Sequence, residues 1–158
     1  MEPKLCTFHL DNYWFGVAVE KVQEVVSAPP VTPVPLAPCG VAGLVNLRGQ
    51  IVTVMDLRRR LGLPERRPAA PLTIVVVQVG KTTIGLLVDE AGEVVEAPEE
   101  MFEVSPARLP PECQKLVPKV CKLPRHLLHV LDLDCVVRGD GAEAWGGSSL
   151  KDFDSGVD

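Results

Sequence analysis

The chain has 158 residues, 46% of them hydrophobic, with 16 basic against 21 acidic side chains and a formal net charge of −5. That is about one domain with enough apolar material for a core, and the acidic balance with only 4% aromatic residues excludes the positive field and stacking platforms of a nucleic-acid binder. No run approaches the ~18 apolar residues of a membrane span, and Glu2, His9 and Asp11 stand where a secretory signal needs an apolar centre, so a cytoplasmic protein without direct membrane insertion is expected.

Residues 5–26 read as an apolar strand, a polar turn, a strand containing Gly16, and then Glu20 followed by Glu24-Val25-Val26. Residues 41–62 place two apolar runs around Asn46-Leu47-Arg48-Gly49, the second ending in Asp56, with Arg58-Arg59-Arg60 before Gly62. That basic run reads as a solvated helical turn with Gly62 as its stop. Residues 62–72, with Pro64, Pro68 and Pro71, read as a connector.

Residues 74–95 then repeat 5–26 at a constant offset of 69, with Gly85, Asp89 and Glu93 on Gly16, Glu20 and Glu24. The span 96–118 is a second Pro-rich connection with a short helical piece at 99–104. Residues 126–133 repeat 50–57 at an offset of 76. From Gly139 onward the Gly, Ser and Asp content is too polar to offset ordering entropy, and a mobile tail over 139–158 is expected.

Short β-branched runs such as Ile74-Val75-Val76-Val77 fit strands, and 15 prolines and 13 glycines break any long helical period. A half of this size buries only about 60% of its unfolded surface. Two halves sharing one packed unit are therefore expected: a mainly β domain over residues 1–138, made of two related small barrels with short helical connectors. The first barrel is expected at about 15–65 plus exchanged strands, the second at about 74–138.

Catalytic constellations are absent from the sequence. Cys6, Cys39, Cys113, Cys121 and Cys135 form no CxxC pair and read as buried thiols, so neither a metal site nor a cofactor is expected. His126 and His129, three apart in a predicted strand, should face opposite ways. Asp132-x-Asp134 shares a strand face, but an Asp ending an apolar strand more often caps the following turn. Asp56 and Asp132 resemble a duplicated carboxylate dyad, yet each is followed by Leu rather than the small hydroxyl residue and Gly such dyads need. There is no GxSxG, P-loop, HExxH or GxGxxG motif.

The copies differ in one place. Val41, Leu44 and Leu47 have apolar counterparts in Val117, Val120 and Leu123, whereas Asn46, Arg48 and Gly49 face Lys122, Pro124 and Arg125. A turn needed only to close a barrel would recur, so its single occurrence points to another task. Asn46 and Gly49 also fit as plain turn formers, with Arg48 tying a local carboxylate.

The stretch from Val41-Ala42-Gly43-Leu44-Val45-Asn46-Leu47-Arg48-Gly49 to Asp56-Leu57 resembles the signature of the CheW-like adaptor family. Val31-Thr32-Pro33-Val34-Pro35 upstream and Ile84-Gly85-Leu86-Leu87-Val88-Asp89-Glu90 downstream extend the likeness to roughly residues 4–138. Thr53 departs from it, standing where the pattern usually has Pro. The resemblance implies two five-stranded SH3-like barrels and a non-catalytic adaptor that bridges the helical cytoplasmic tips of chemoreceptors to the regulatory domain of the histidine kinase CheA, at membrane-associated receptor arrays. It also implies a partner-binding set: Val22 and Glu24 on one strand, Gly43, Asn46, Arg48 and Gly49 around the motif turn, and Ile51 and Leu87 with Val22 along a groove between barrels. Arg48 is expected to pair with Glu24, since a guanidinium engages a carboxylate bidentately. The alternatives are a regulatory module of another signalling system or part of a larger kinase or coupling protein, which the start at Met1 disfavours, and an unrelated enzyme on a barrel fold.

Overall fold

The computed structural model describes residues 3–27, 30–36, 40–64, 72–104 and 115–138. Most of the 62–72 connector, the middle of the 96–118 span, the tail from Gly139, Cys39 and Cys113 lie outside the described residues.

Strands β1 (Lys4–Leu10) and β2 (Tyr13–Ala18) form a hairpin, and a 3-10 turn at Val19–Lys21 leads into β3 (Val22–Ser27). Strands β4 (Val41–Leu47) and β5 (Gln50–Asp56) form a second hairpin followed by helix α1 (Leu57–Leu61). The second half brings β6 (Thr73–Val79), β7 (Thr82–Val88) and β8 (Glu90–Glu96), then β9 (Phe102–Val104), β10 (Lys119–Lys122), β11 (Leu127–Val130) and helix α2 (Leu133–Arg138). The offset of 69 carries β1, β2 and β3 onto β6, β7 and β8, and that of 76 carries β5 and α1 onto β11 and α2. The helical piece expected over 99–104 is shorter than that: a 3-10 turn covers Glu99–Met101, and Phe102–Val104 instead pairs with β10, Cys121 opposite Phe102.

The strands make two sheets, a five-stranded one in the order β3-β6-β7-β5-β4 and a six-stranded one in the order β8-β1-β2-β11-β10-β9. The duplication maps the first order onto the first five strands of the second, with one exchange. The third strand of each copy pairs with the first strand of the other, β3 with β6 and β8 with β1. Parallel pairings recur at matching places, β5 with β7 and β2 with β11. The sheets are therefore built by exchange of strands between the two halves. Strands β6 and β7 lie with β3, β4 and β5, while β1 and β2 join the strands from β8 onward.

Burial explains why some strands read as unbroken apolar runs. Along β6, Val75 and Val77 enter the main core, whereas Ile74 and Val76 point into a separate core of the five-stranded sheet with Val45, Val52, Val54 and Leu87. Strand β6 is thus buried on both faces, which removes the alternation of a half-exposed strand. The main core draws Phe8, Leu10, Phe15 and Val17 from one sheet and Met55, Ile84, Leu86 and Val88 from the other, so it joins the two. A third core, with Leu5, Cys121, Leu128 and Val130, belongs to the six-stranded sheet. Cys6 and Cys121 are buried free thiols whose proton affinity burial pushes up.

Candidate functional site

The β4–β5 hairpin closes at the Leu47 and Gln50 pair, leaving Arg48 and Gly49 as its two turn residues, at φ of 53° and 87°. Positive φ at both central positions gives the turn the twist that flanking strands require. Gly49 reaches that conformation freely, whereas Arg48 carries a Cβ into a region unfavourable for side chains. Asn46 braces the turn, its Oδ1 accepting the Gly49 N–H at 2.8 Å. Asn46 and Gly49 therefore have local work as turn formers.

Arg48 has a partner far away in sequence. Its Nη1 donates to Glu24 Oε1 at 3.0 Å and its Nη2 donates to Glu24 Oε2, a bidentate pair of the kind expected from sequence. Glu24 lies on β3 and Arg48 at the tip of the β4–β5 hairpin, and β3 and β4 are the two edges of the five-stranded sheet. The pair links one edge of the sheet to the other. Hydrogen bonding to Arg48 holds the Glu24 carboxyl below the usual glutamate range. The Arg48 side chain stays 76% exposed while that of Glu24 is 26% exposed, so the pair presents a fixed cation at the surface. A bulge on β3 between Val22 and Glu24, with Gln23 Nε2 donating to Gln78 Oε1 at 2.6 Å, sets the strand beside it.

The other expected site residues divide. Ile51, opposite Asn46, is 51% exposed and shares the hairpin with Arg48. Val22 is half-buried against the main core. Leu87 is 7% exposed within the core of the five-stranded sheet, which is the position of a packing residue and offers no surface to line a groove. Gly43, at φ of 154°, lies where β4 meets Thr32, whose N–H and C=O bond Leu44 at 2.8 Å each. A Cβ at Gly43 would overlap the Thr32 carbonyl, so backbone approach accounts for this glycine.

Two features differ from the sequence reading. Arg58 is not a solvated residue: its Nη2 donates to Asp89 Oδ2 at 2.6 Å, its Nε to Asp89 Oδ1 at 3.2 Å and its Nη1 to the Pro64 carbonyl at 2.7 Å, with Asp11 3.9 Å away. Asp89 also accepts the Asp11 N–H at 2.9 Å, so α1, the end of β7 and the β1–β2 turn meet at one ionic node between the sheets. Three consecutive arginines look alike in sequence, and only the fold distinguishes Arg58. The expected caps are present: Asp56 accepts Arg58 N–H at 2.9 Å, Asp132 accepts Cys135 N–H at 3.3 Å, and Gly62 ends α1 left-handed.

His126 also departs from expectation: strand β11 begins at Leu127, so this residue lies before the strand and not within it. His126 stacks on Trp14 at 5.0 Å, while His129 lies 5.6 Å from Tyr13 and 5.4 Å from Phe15, with Nδ1 3.0 Å from the Trp14 carbonyl. Among the described residues, no three His, Cys, Asp or Glu side chains are placed to hold a metal ion.

The sheets, the turn and the ion pair can be set against known proteins. The family model described as CheW-like domain matches residues 4–140. The Bacillus subtilis chemotaxis protein CheW is 26% identical over 141 residues, covering 89% of this chain and 90% of that protein. The Rhizobium meliloti chemotaxis protein CheW is 28% identical over 141 residues, covering 89% and 91% respectively. The crystal structure of scaffolding protein TtCheW from Thermoanaerobacter tengcongensis superposes with a TM-score of 0.79 at 27% identity, covering 89% of this chain and 96% of that one. A family match over most of the chain, together with agreement in fold, shows that the chain belongs to the CheW-like domain family and is a coupling adaptor of chemotaxis signalling.

Proposed function

We propose that this adaptor binds the regulatory domain of a CheA-type histidine kinase through the seam of its five-stranded sheet, and joins that kinase to the helical cytoplasmic tip of chemoreceptors. The observation that carries the reading is the Glu24–Arg48 pair, which fixes an exposed guanidinium on a turn that the second copy does not reproduce. A surface built this way recognises a partner without chemistry of its own, and the adaptor acts without catalysis. Ile51 adds exposed apolar area on the same hairpin, and Val22 flanks Glu24 on β3. A receptor hairpin would bring helical anchors at i, i+3, i+4 and i+7 to the junction between sheets. Recruitment to receptor arrays follows from holding both partners, and no described helix is long and apolar enough to cross a membrane by itself.

The test is calorimetric titration with the cognate kinase regulatory domain, with Arg48→Glu alongside. Saturable binding by the wild type and its loss in a variant of unchanged circular dichroism are expected. Undiminished binding by Arg48→Glu would move the interface away from this seam, and no binding by the wild type at high micromolar concentration would remove the kinase from the reading.

A further inference from the structure

Among the described strands the chain passes from one sheet to the other twice, between β2 and β3 and between β7 and β8. The offset of 69 relates the two crossings, placing Glu20 in the first and Asp89 in the second. The first is the 3-10 turn Val19–Lys21, which buries no side chain and has no side-chain cap. Glu20 is exposed there and forms no ion pair among the described residues. The second is Asp89 alone, the single residue between Val88 and Glu90.

Asp89 is fastened from both sheets. Its N–H donates to the His9 carbonyl at 3.0 Å and its Oδ2 accepts the Asp11 N–H at 2.9 Å, which ties it to the β1–β2 turn. The bidentate Arg58 ties it to α1, which follows β5. In the other copy the corresponding places are Glu20 for Asp89, Gly80 for Asp11 and Asp134 for Arg58, a set without a cation. Asp11 and Gly80 take the same left-handed conformation, at φ of 57° and 62°. Glycine does so freely, whereas Asp11 carries a side chain into it and sets a carboxylate 3.9 Å from Arg58. The apolar core between the sheets attracts without direction, but a guanidinium fork fixes angle as well as distance.

We infer that Arg58 is a positioning residue of the adaptor: through Asp89 and Asp11 it sets the angle between the two sheets at one crossing, and the junction yields on the side of Glu20. A partner that spans the junction feels this angle, and a partner seated on one sheet does not. The receptor hairpin is of the first kind and the kinase domain of the second, a division that rests on the function proposed above.

Residual dipolar couplings of the backbone amides, measured on the full chain and fitted sheet by sheet, read the angle. One alignment tensor should describe both sheets in the wild type and in Glu20→Gln. In Arg58→Met and in Asp89→Asn each sheet should keep its internal couplings while the two require different tensors, and Arg58→Lys should recover part of the shift because it keeps the charge. Asp89→Asn retains an oxygen for the Asp11 N–H, so it decides the matter if Arg58→Met does not fold. A common tensor in these variants overturns the proposal, since the core alone would then fix the angle, and a split tensor in Glu20→Gln overturns the difference between the crossings. Calorimetry on the same variants should show binding to a helical-hairpin peptide of the receptor tip weakened about tenfold, with binding to the kinase regulatory domain unchanged. Equal weakening of both overturns the positioning role in favour of a general loss of fold. A wild type that binds no receptor peptide removes the receptor from the proposed function, and the couplings then decide the role of Arg58 by themselves.

Discussion

Glu24 and Arg48 meet across the seam of a sheet at the cost of holding an arginine at positive φ. The folded Glu24 carboxyl titrates below its unfolded value of about 4.3, with the Arg48 hydrogen bond as the main cause and burial opposing it. Its stabilising contribution is therefore complete above the ordinary glutamate range and disappears only as pH falls through the lowered folded value. Carbon-detected NMR titration of the Glu24 carboxyl should give a depressed midpoint that returns upward in Arg48→Ala; an unchanged midpoint in that variant would mean the pair does not form in solution. Gly43 makes a stability prediction instead. Ala at that position combines positive φ with overlap on the Thr32 carbonyl, and urea unfolding should show a loss of about 2 kcal/mol or more. Asn46 and Gly49 were legible as turn formers because turn chemistry is written in those residue types, whereas the positive φ of Arg48 is not, and the steric reason for Gly43 depends on Thr32, which only the fold brings opposite.

At the level of elements, the two short helices hold the sheets in place. Arg58 on α1 ties the β7–β8 junction and the β1–β2 turn, and Arg60 donates to the Cys135 and Val136 carbonyls of α2 at 3.2 and 3.3 Å. The Arg58 side chain is 10% exposed, but Asp89 and Asp11 keep 23% and 32%. Removing the cation leaves carboxylates only partly relieved by water, so Arg58→Ala should lower unfolding free energy by about 2 kcal/mol, below the full cost of breaking a buried pair. Arg58→Lys should recover part of that, because it keeps the charge and loses the bidentate geometry; equal losses in both variants would show that packing, not charge, is at stake. Sequence periodicity revealed most strands and both duplicated blocks, since short β-branched runs and offsets survive in a single chain. It misassigned Arg58 because exposure is not encoded in the identity of neighbouring arginines. It also took Phe102–Val104 for helix, because a three-residue edge strand has no period of its own.

The whole molecule is held by exchange between its halves. Strand β3 completes the sheet founded on β6, and β8 completes the one founded on β1. Equal copies in an alignment do not say whose third strand pairs with whom, so this was not legible from the repeat. The main core takes side chains from both sheets, which leaves neither half with a complete core. A chain cut between Pro64 and Leu72 should therefore give two pieces whose separate NMR spectra are unfolded and whose mixture regains dispersed amide signals. A dispersed spectrum from either piece alone would show that the exchange is not required for folding.

The nesting of the sheets has a consequence for synthesis. All five strands of one sheet fall between residues 22 and 88, while the other needs strands from Lys4 to Val130. As the ribosome releases the chain from its N-terminus at about 5–20 residues per second, the inner sheet acquires its last strand some seconds before the outer one can close. The β1–β2 hairpin emerges first and is the last to receive both neighbours, β8 on one side and β11 on the other. Through that interval its unpaired edges and the apolar faces of Phe8 and Phe15 are what a nascent-chain chaperone would meet.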